Sequence, residues 1–522
     1  MEEKQDTFIV RNAAKIGLGF SVSRSLGLCR DIVIAFVLGG GWAADIFLAA
    51  MRLPYFIRRV LYEGAMALAF LPIFDRLYKR QTPLRAFTFG RTALWECFLA
   101  ALIFCLLCIY AAKAIATLLV PGFAAMPEMM ELTGSLMQVT FFYLPLVAVS
   151  VILGGMLLAM DRYIATAIAP ACMNIGIIFA GVCVIFGDYS AADAIRLFCY
   201  GMVGGGVLQV LIQLPPLYRA GFRILGPMEL HSHEARSFTR NAPPAMIGSS
   251  SYQMGVLIAM FMASFLGAGN VSALYFAERI IELPIFLVGI GLGLASLPDF
   301  SRMVMREQKT ELTHELRKIT AIGLFFSLPA CFGIMALAWP IVYTIFAHGA
   351  FDAGALDLTA QAMFFYAPLL PGIVMARPML AALNAGGRSS ITMFIAFVSL
   401  ALLIGLTLFL LNFLGLEAVT ISATVSVWAN TIMLALVLRR SGICAKGVSF
   451  YPWRLMAGYL LFSIAMFALL VLLQIGATYL GFSPILSVLV GVPLGAGVYF
   501  AMCYYSKSPE LLTFLQVLGL KK

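Results

Sequence analysis

The sequence predicts an all-α polytopic membrane protein of fourteen transmembrane helices, with two parallel six-helix lobes around a central cavity and two appended helices. Three observations predict it. The 522 residues are 62% hydrophobic and only 11% charged, where soluble domains run near ~25% charged. Lysine and arginine gather in every second connection between apolar runs. Short pieces of sequence recur in the same order at a nearly constant offset.

The apolar runs give spans at 10–38, 44–79, 88–120, 132–160, 163–187, 192–218, 240–267, 271–301, 316–346, 358–386, 389–412, 416–439, 452–476 and 484–507. Each is long enough for a bilayer core. The runs lack alternation and exceed barrel-strand length, which excludes a β-barrel. No polar segment is long enough for a soluble domain. The start "MEEKQDTFIVRNAAK" is polar and partly acidic, without a small-residue cleavage site, and is expected to stay on the chain.

Connections after the even-numbered spans hold Arg76, Lys79, Arg80 and Arg85; Arg162; Arg219, Arg223, Arg236 and Arg240; Arg302, Arg306, Lys309, Arg317 and Lys318; Arg388; and Arg439, Arg440 and Lys446. Connections after the odd-numbered spans hold acids such as Glu128, Glu131, Asp188, Asp352 and Asp357, with no Lys or Arg. Lys113 and Arg196 lie within spans toward that acidic side. Positive-inside bias therefore places both termini in the cytoplasm. It also accounts for the net charge of +10 without a nucleic-acid partner. The ten cysteines are scattered through apolar segments, and the CxxC of Cys105 and Cys108 reads as packing inside a span.

"FFYLPL" at 141–146 returns as "FFYAPL" at 364–369, an offset of 223. At that offset "GGMLLAMD" answers "RPMLAALN", aligning Met156 with Met379 and Ala159 with Ala382. "LPIFDR" at 71–76 is echoed by "LPDFSR" at 297–302, offset 226. The expected domains are an N-lobe over 1–225, a C-lobe over 226–445, and an appended pair with its tail over 446–522. Six helices per copy is an even number, so the copies run in the same direction, as in several transporter folds.

The stretch "FSVSRSLGLCRDIVIAFVLGGGWAADIFLAAMRLPYFIRRVLYEG" carries Arg24, Arg30, Asp31, Asp45, Arg52, Arg58, Arg59 and Glu63 within apolar sequence. A charge at membrane depth costs about 2.5–3.5 kcal/mol on insertion scales. Asp45, Arg52 and Arg59 are each seven apart and share a helix face, with Glu63 one turn beyond. That stripe covers about 27 Å of helix, with Pro54 expected to bend it. In the first span Arg24 and Asp31 share a face and Arg30 lies ~120° round, with Gly27 free to let the helix deform.

"YFAERIIELP" adds Glu278, Arg279 and Glu282, with Arg279 placed to pair with Glu282 at i+3. Buried ion pairs that fix packing account for some of these acids. They do not account for a stripe of charges crossing the membrane, which calls for a water-filled cavity or a ligand. The planar guanidinium binds phosphate or carboxylate through two donors and keeps its charge. Convergence of Arg24, Arg30, Arg52 and Arg279 describes a site for a multi-anionic ligand such as a diphosphate. A voltage sensor needs an arginine at every third position of one helix, a pattern the chain lacks.

"GIGLGLA" at 289–295 has no strand before it and reads as helix packing. His231 and His233 in "ELHSHEAR" read as a solvated loop. No residue set suggests hydrolysis, a metal site or a cofactor. A membrane glycosyl- or phosphotransferase needs an acidic metal site or a catalytic loop, and neither is visible.

Several of these pieces resemble a known family. "SRSLGLCRDIVIAFVLGGGWAADIFLAAMRLPYFIRRVLYEGAMALAFLPIF" and "GNVSALYFAERIIELPIFLVGIGLGLASLPDFSR" are similar to the amino-terminal and eighth-helix signatures of the MurJ (MviN) family. These are lipid II flippases of bacterial peptidoglycan synthesis, within the multidrug, oligosaccharidyl-lipid and polysaccharide exporter superfamily. "IFAHGAF" and the fourteen-span plan agree with it.

The resemblance implies a transporter, not an enzyme, in the bacterial inner membrane. Its substrate would be lipid II, the undecaprenyl-diphosphate-linked disaccharide-pentapeptide, with membrane lipids and the cell-wall synthesis machinery as partners. It implies that Arg24, Arg30, Arg52 and Arg279 engage the diphosphate, with Asp31 and Asp45 as important acids and Glu278 and Glu282 in support. Arg58, Arg59 and Glu63 match the portal where the lipid enters, and the last two helices match the groove for the polyprenyl tail. Glu278 stands where the family often has Asp. Relatives that bind Na⁺ use acids and amides on the seventh and eleventh helices, but "MIGSSSYQMGVLIAMFMASF" and "ITMFIAFVSLALLIGLTLFL" contain no Asp, Glu or Asn. The alternatives are a flippase of another polyprenyl-diphosphate-linked oligosaccharide, or a multidrug exporter of the superfamily. A cation exporter would place acids at the cavity centre.

Overall fold

The computed structural model describes residues 24–249, 251–445 and 452–512, without the side chains at 63, 244–245, 247–249, 251–253, 286–299 and 301. Residues 10–23 of the first expected span, the Glu63 carboxylate, the side chains of "GIGLGLA", Lys446 and the last ten residues of the tail lie outside the described residues. Among the described residues every regular element is helical.

Two compact units form, divided after Val271, with Gly349–Phe351 returning to the first. The first unit opens with α1 (24–38) and α2 (Trp42–Val60). From Leu61 to Phe70 the same helix becomes π-helical, then resumes as α3 (Leu71–Arg80). Pro54 sits inside α2, but the departure from α geometry comes one to two turns later, where i→i+5 bonding widens the coil. The unit continues with α4 (Pro83–Tyr110), α5 (Ala112–Leu119), α6 (Pro127–Phe141), α7 (Tyr143–Ala159), α8 (Tyr163–Phe186), α9 (Ala191–Leu211), α10 (Leu214–Arg219), α11 (His233–Ser249) and α12 (Ser251–Ser264).

Lipid is as apolar as leucine, so close packing and hydrogen bonds must hold such helices together. At α8 and α9 the packing is backbone on backbone: a Cβ on Gly176 would stand 2.2 Å from the Gly201 carbonyl oxygen. The π-helical stretch is seated in an aromatic cluster. The Phe70 ring lies 5.4 Å from Phe74, 5.4 Å from Phe89 and 6.0 Å from Phe238 of α11.

The second unit holds α13 (Asn270–Met305), α14 (Lys309–Ala336), α15 (Ala338–Phe346), α16 (Ala353–Tyr366), α17 (Leu369–Ala385), α18 (Ser389–Leu410), α19 (Leu416–Arg440), α20 (Trp453–Tyr479) and α21 (Pro484–Tyr505). Its core joins α14, α20 and α21. The Tyr499 hydroxyl donates to the Phe325 carbonyl at 2.8 Å, and the Phe325 ring packs on Tyr459 and Tyr499.

The internal repeat is visible in the element boundaries. The helices α4 and α14 each have 28 residues and begin 226 apart, at Pro83 and Lys309. The starts of α6 and α16, of α7 and α17, and of α8 and α18 stand at the same 226. So do Asp161 and Gly387, both at positive φ in the turn after the pair. The FFYxPL motifs and the Met156–Met379 pair stand at 223, about one helical turn short of that register. Both motifs sit at the break between two helix halves, and in the second copy the halves are bent by 43°.

By length and apolarity, nine described helices are able to cross a membrane, or ten if the bent α16–α17 pair is one span. The helices at 24–38, 42–80, 233–264 and 270–305 fall outside that set.

Candidate functional site

The α1 and α2 charges have distinct surroundings. Arg30 is 2% exposed and Asp31 1%. Arg30 Nη2 and Nε donate to Asp31 Oδ1 at 2.7 and 2.9 Å, and Nη1 donates to Asn174 Oδ1 of α8 at 3.0 Å. The guanidinium is therefore held at three nitrogens inside the first unit. Gly27 borders this arrangement but is not required by space, since a Cβ there would make only an ordinary contact with Asn174 Nδ2 at 3.7 Å. Asp45 is fully buried, and its Oδ2 accepts from the Gly269 backbone N–H at 2.6 Å, one residue before α13 begins. A buried carboxylate on a backbone donor is a strong, charge-assisted contact.

Arg24, Arg52, Arg58 and Arg59 are half-buried. The α-helical geometry that puts Asp45, Arg52 and Arg59 on one face holds to Val60. Glu63 lies beyond it in the π-helical stretch, where i+4 no longer marks the same face. Arg58 stacks over Tyr55, with its Cζ 4.5 Å from the ring centroid, and its Nε is buried without a hydrogen-bond partner among the described residues. Tyr143, fully buried and donating to Gln209 Oε1 at 3.1 Å, stands within electrostatic range of both Arg58 and Arg30.

In the second unit Arg279 Nη1 donates to Glu282 Oε2 at 2.7 Å, the i+3 pair the spacing predicts. The Arg279 Cζ also lies 4.7 Å from the Tyr275 ring centroid. Arg58 and Arg279 thus share one construction, a half-buried guanidinium stacked on a tyrosine about one turn earlier in its own helix. Stacking orients the planar fork without using its edge donors. Glu278 is half-buried beside Arg279.

Sequence reasoning missed two participants. Asn174 and Tyr143 reach the site from α8 and α7, and a neutral polar residue in an apolar run gives no periodic signal. Arg91 in α4 was also passed over, and its partners belong to a different segment. It is 5% exposed and binds the backbone of the 220–230 segment, with Nε donating to the Arg223 carbonyl at 2.9 Å.

The segment Gly349–Phe351 also belongs to the first unit. Ala350 N–H donates to the Phe36 carbonyl near the end of α1 at 2.8 Å. Gly349 has φ of 65°, and a Cβ on it would lie 2.4 Å from the Phe36 oxygen. Gly349→Ala therefore meets both a left-handed backbone, costing about 1–2 kcal/mol, and a backbone clash. The expected result is faster amide exchange at Ala350 than in the wild type. Unchanged exchange would show that this contact does not need the glycine.

Among the described residues no group of three or more His, Cys, Asp or Glu side chains is placed to hold a metal ion. Two α18 hydroxyls are engaged in packing: Thr392 donates to Asn384 Oδ1 at 3.0 Å, and Ser399 Oγ accepts from Asn430 Nδ2 at 3.1 Å. The Thr407 hydroxyl is buried without a hydrogen-bond partner among the described residues.

Comparison with known proteins adds the following. The profile of the family described as "Lipid II flippase MurJ" matches residues 34–492. A Buchnera aphidicola protein described as a probable lipid II flippase MurJ is 25% identical over 429 residues, covering 82% of this chain and 83% of that one. A Rhizobium meliloti protein with the same description is 28% identical over 430 residues, covering 82% and 80%. A solved structure described as lipid II flippase MurJ in an inward closed conformation superposes with a TM-score of 0.78 at 20% identity, covering 94% and 98%. An inward-facing multidrug transporter of the MATE family superposes at 0.67 and 16% identity, covering 80% and 94%.

Proposed function

The chain belongs to the lipid II flippase MurJ family, and from that premise we propose how its own residues carry the family's work. It is a multi-pass protein of the bacterial inner membrane that moves lipid II across the bilayer by alternating access. It is a transporter. The observation that carries this reading is the family match across residues 34–492, joined to a run of arginines in helices that lipid alone would not tolerate.

We assign Arg24, Arg30, Arg52 and Arg279 to the diphosphate, Asp31 and Asp45 to supporting those cations, and Arg58, Arg59 and Glu63 to the portal. Glu282 holds Arg279 until substrate arrives, and a diphosphate oxygen then replaces its carboxylate. Arg30 is held more firmly, by Asp31 and Asn174 together. The unpartnered Arg58 Nε and its stack on Tyr55 make Arg58 a second anion donor as well as a portal residue. Lipid II enters from the cytoplasmic leaflet, its diphosphate draws the arginines, and reorientation of the protein exposes the head group outside.

We read the helices at 24–38, 42–80, 233–264 and 270–305 as spans too, their charges serving transport. That gives fourteen spans with both termini in the cytoplasm. The lobes are 1–225 and 226–445, with 446–522 appended for the polyprenyl tail. Membrane lipids and the cell-wall synthesis machinery are the proposed partners.

An inside-negative potential helps to expel a dianion, at about 2.3 kcal/mol per charge per 100 mV. Two hydroxyls of α18 are already committed to packing, and a dehydrated sodium ion without carboxylates is costly. Flipping in liposomes is therefore expected to follow membrane potential and to survive replacement of sodium by potassium. Loss of activity in that exchange at constant potential would contradict the assignment. The functional reading itself is tested by whether this chain rescues a strain depleted of its own lipid II flippase. Failure of a well-expressed chain to rescue would overturn it.

A further inference from the structure

The connection between α10 and α11 is a strap with two unlike faces. Its inner face is fixed to α4. Arg91 donates to the carbonyls of Arg223 and Pro227. Trp95 Nε1 donates to the Ile224 carbonyl at 3.3 Å, and Glu229 N–H donates to Thr92 Oγ1 at 3.0 Å. Phe222 is buried in the aromatic core, and its ring lies 5.8 Å from the Arg91 guanidinium. The anchoring residues Arg91 to Trp95 stand about 12–18 Å along α4 from its start at Pro83.

The outer face is apolar and basic. Leu225 is 78% exposed, Leu230 56% and Met228 47%. Arg219, Arg223, Arg236 and Arg240 are exposed in and beside the strap, against the acids Glu229 and Glu234. A loop held by three side chains on one face is not exposing leucines because it is loose. Apolar tips flanked by arginines match the boundary between acyl chains and headgroups, and four cations over two acids favour anionic headgroups.

We propose that the 219–240 strap is a membrane-surface anchor that binds anionic phospholipid, with Leu225, Met228 and Leu230 in the acyl boundary and the arginines on the phosphate. The cytoplasmic leaflet is its place under the orientation given above, and the proposal rests on that reading only for the choice of leaflet. Arg91, Thr92 and Trp95 hold the anchor at a fixed height on α4, so lipid bound there is coupled to the first unit.

The test uses the full chain in nanodiscs of phosphatidylcholine containing about one third phosphatidylglycerol, with a trace of either lipid carrying a photoreactive headgroup. Nanodiscs expose both leaflets, so the outcome depends neither on orientation nor on lipid II flipping. Each arginine at an anionic surface is worth roughly a fivefold preference. Cross-links to peptides spanning 219–240 should therefore favour phosphatidylglycerol by at least about fivefold. The variant R219Q/R223Q/R236Q/R240Q should label equally with both lipids. The variant L225S/M228S/L230S should lower labelling by both lipids while keeping their ratio. Equal labelling of the wild type by both lipids, or an unchanged preference in the four-arginine variant, would overturn the proposal. All seven substituted side chains are exposed, and an unchanged thermal midpoint confirms that the variants fold.

Discussion

Replacing Arg24, Arg52 or Arg279 by alanine is expected to abolish rescue of a flippase-depleted strain, while the protein still reaches the membrane at normal levels. Truncating one partner of a desolvated charge pair costs about 2–5 kcal/mol. That is roughly 30-fold or more in occupancy of the productive complex. Lysine at the same positions should restore transport at most in part. An ammonium keeps the charge but offers no planar fork for two phosphate oxygens. Arg279 is the most informative position, because its fork is oriented by Tyr275 and already occupied at one nitrogen by Glu282. Full rescue by the lysine variants would mean that charge alone suffices and that diphosphate clamping is wrong.

Asp31→Ala is expected to destabilise the first unit severely. It leaves the Arg30 guanidinium, 2% exposed, without its carboxylate in a setting where breaking one half of a buried pair costs about 3–5 kcal/mol. Asn174 retains one donor of the three nitrogens. The readout is the thermal midpoint in detergent, together with the amount of protein that reaches the membrane. The double change Arg30→Met with Asp31→Leu separates structure from function. Replacing both charges by apolar residues of similar volume is often neutral or stabilising, so this variant should recover the midpoint. It should not recover flipping if Arg30 also serves the diphosphate. A double variant that both folds and flips would confine Arg30 to a packing role, and a single variant as stable as the wild type would remove the pair from the fold's foundations.

Much of the architecture was legible in the sequence because a membrane imposes strong and simple signals. Apolar length marked where helices run. The breaks inside the spans at 132–160 and 358–386 were not legible, although FFYLPL and FFYAPL each lie at the junction of two helix halves. The repeat register was partly legible. The FFYxPL and Met156–Met379 motifs gave 223 and LPIFDR with LPDFSR gave 226, and the boundaries of α4 with α14 and α7 with α17 stand at 226. A helix tolerates a one-turn shift of a short motif along its own face, so sequence identity and element position can differ.

The charges were legible as charges and only partly as contacts. The i+3 spacing pointed Arg279 at Glu282, which is local information. Nothing local pointed Arg30 at Asn174, 144 residues away, or Asp45 at the Gly269 backbone, 224 residues away. The π-helical stretch after Val60 was hidden as well. Its residues are ordinary helix formers, and only the structure shows the wider coil and the aromatic cluster around Phe70 at its end.

The measurement that bears most directly on arginine-driven flipping is lipid II translocation in proteoliposomes, read by a probe that reaches only the outer leaflet. The wild-type chain should expose lipid II to the probe at a rate that rises with an inside-negative potential. The R24A/R52A/R279A variant, reconstituted at equal density, should leave it unexposed. Translocation by that variant at the wild-type rate, or none by the wild-type chain, would contradict the account.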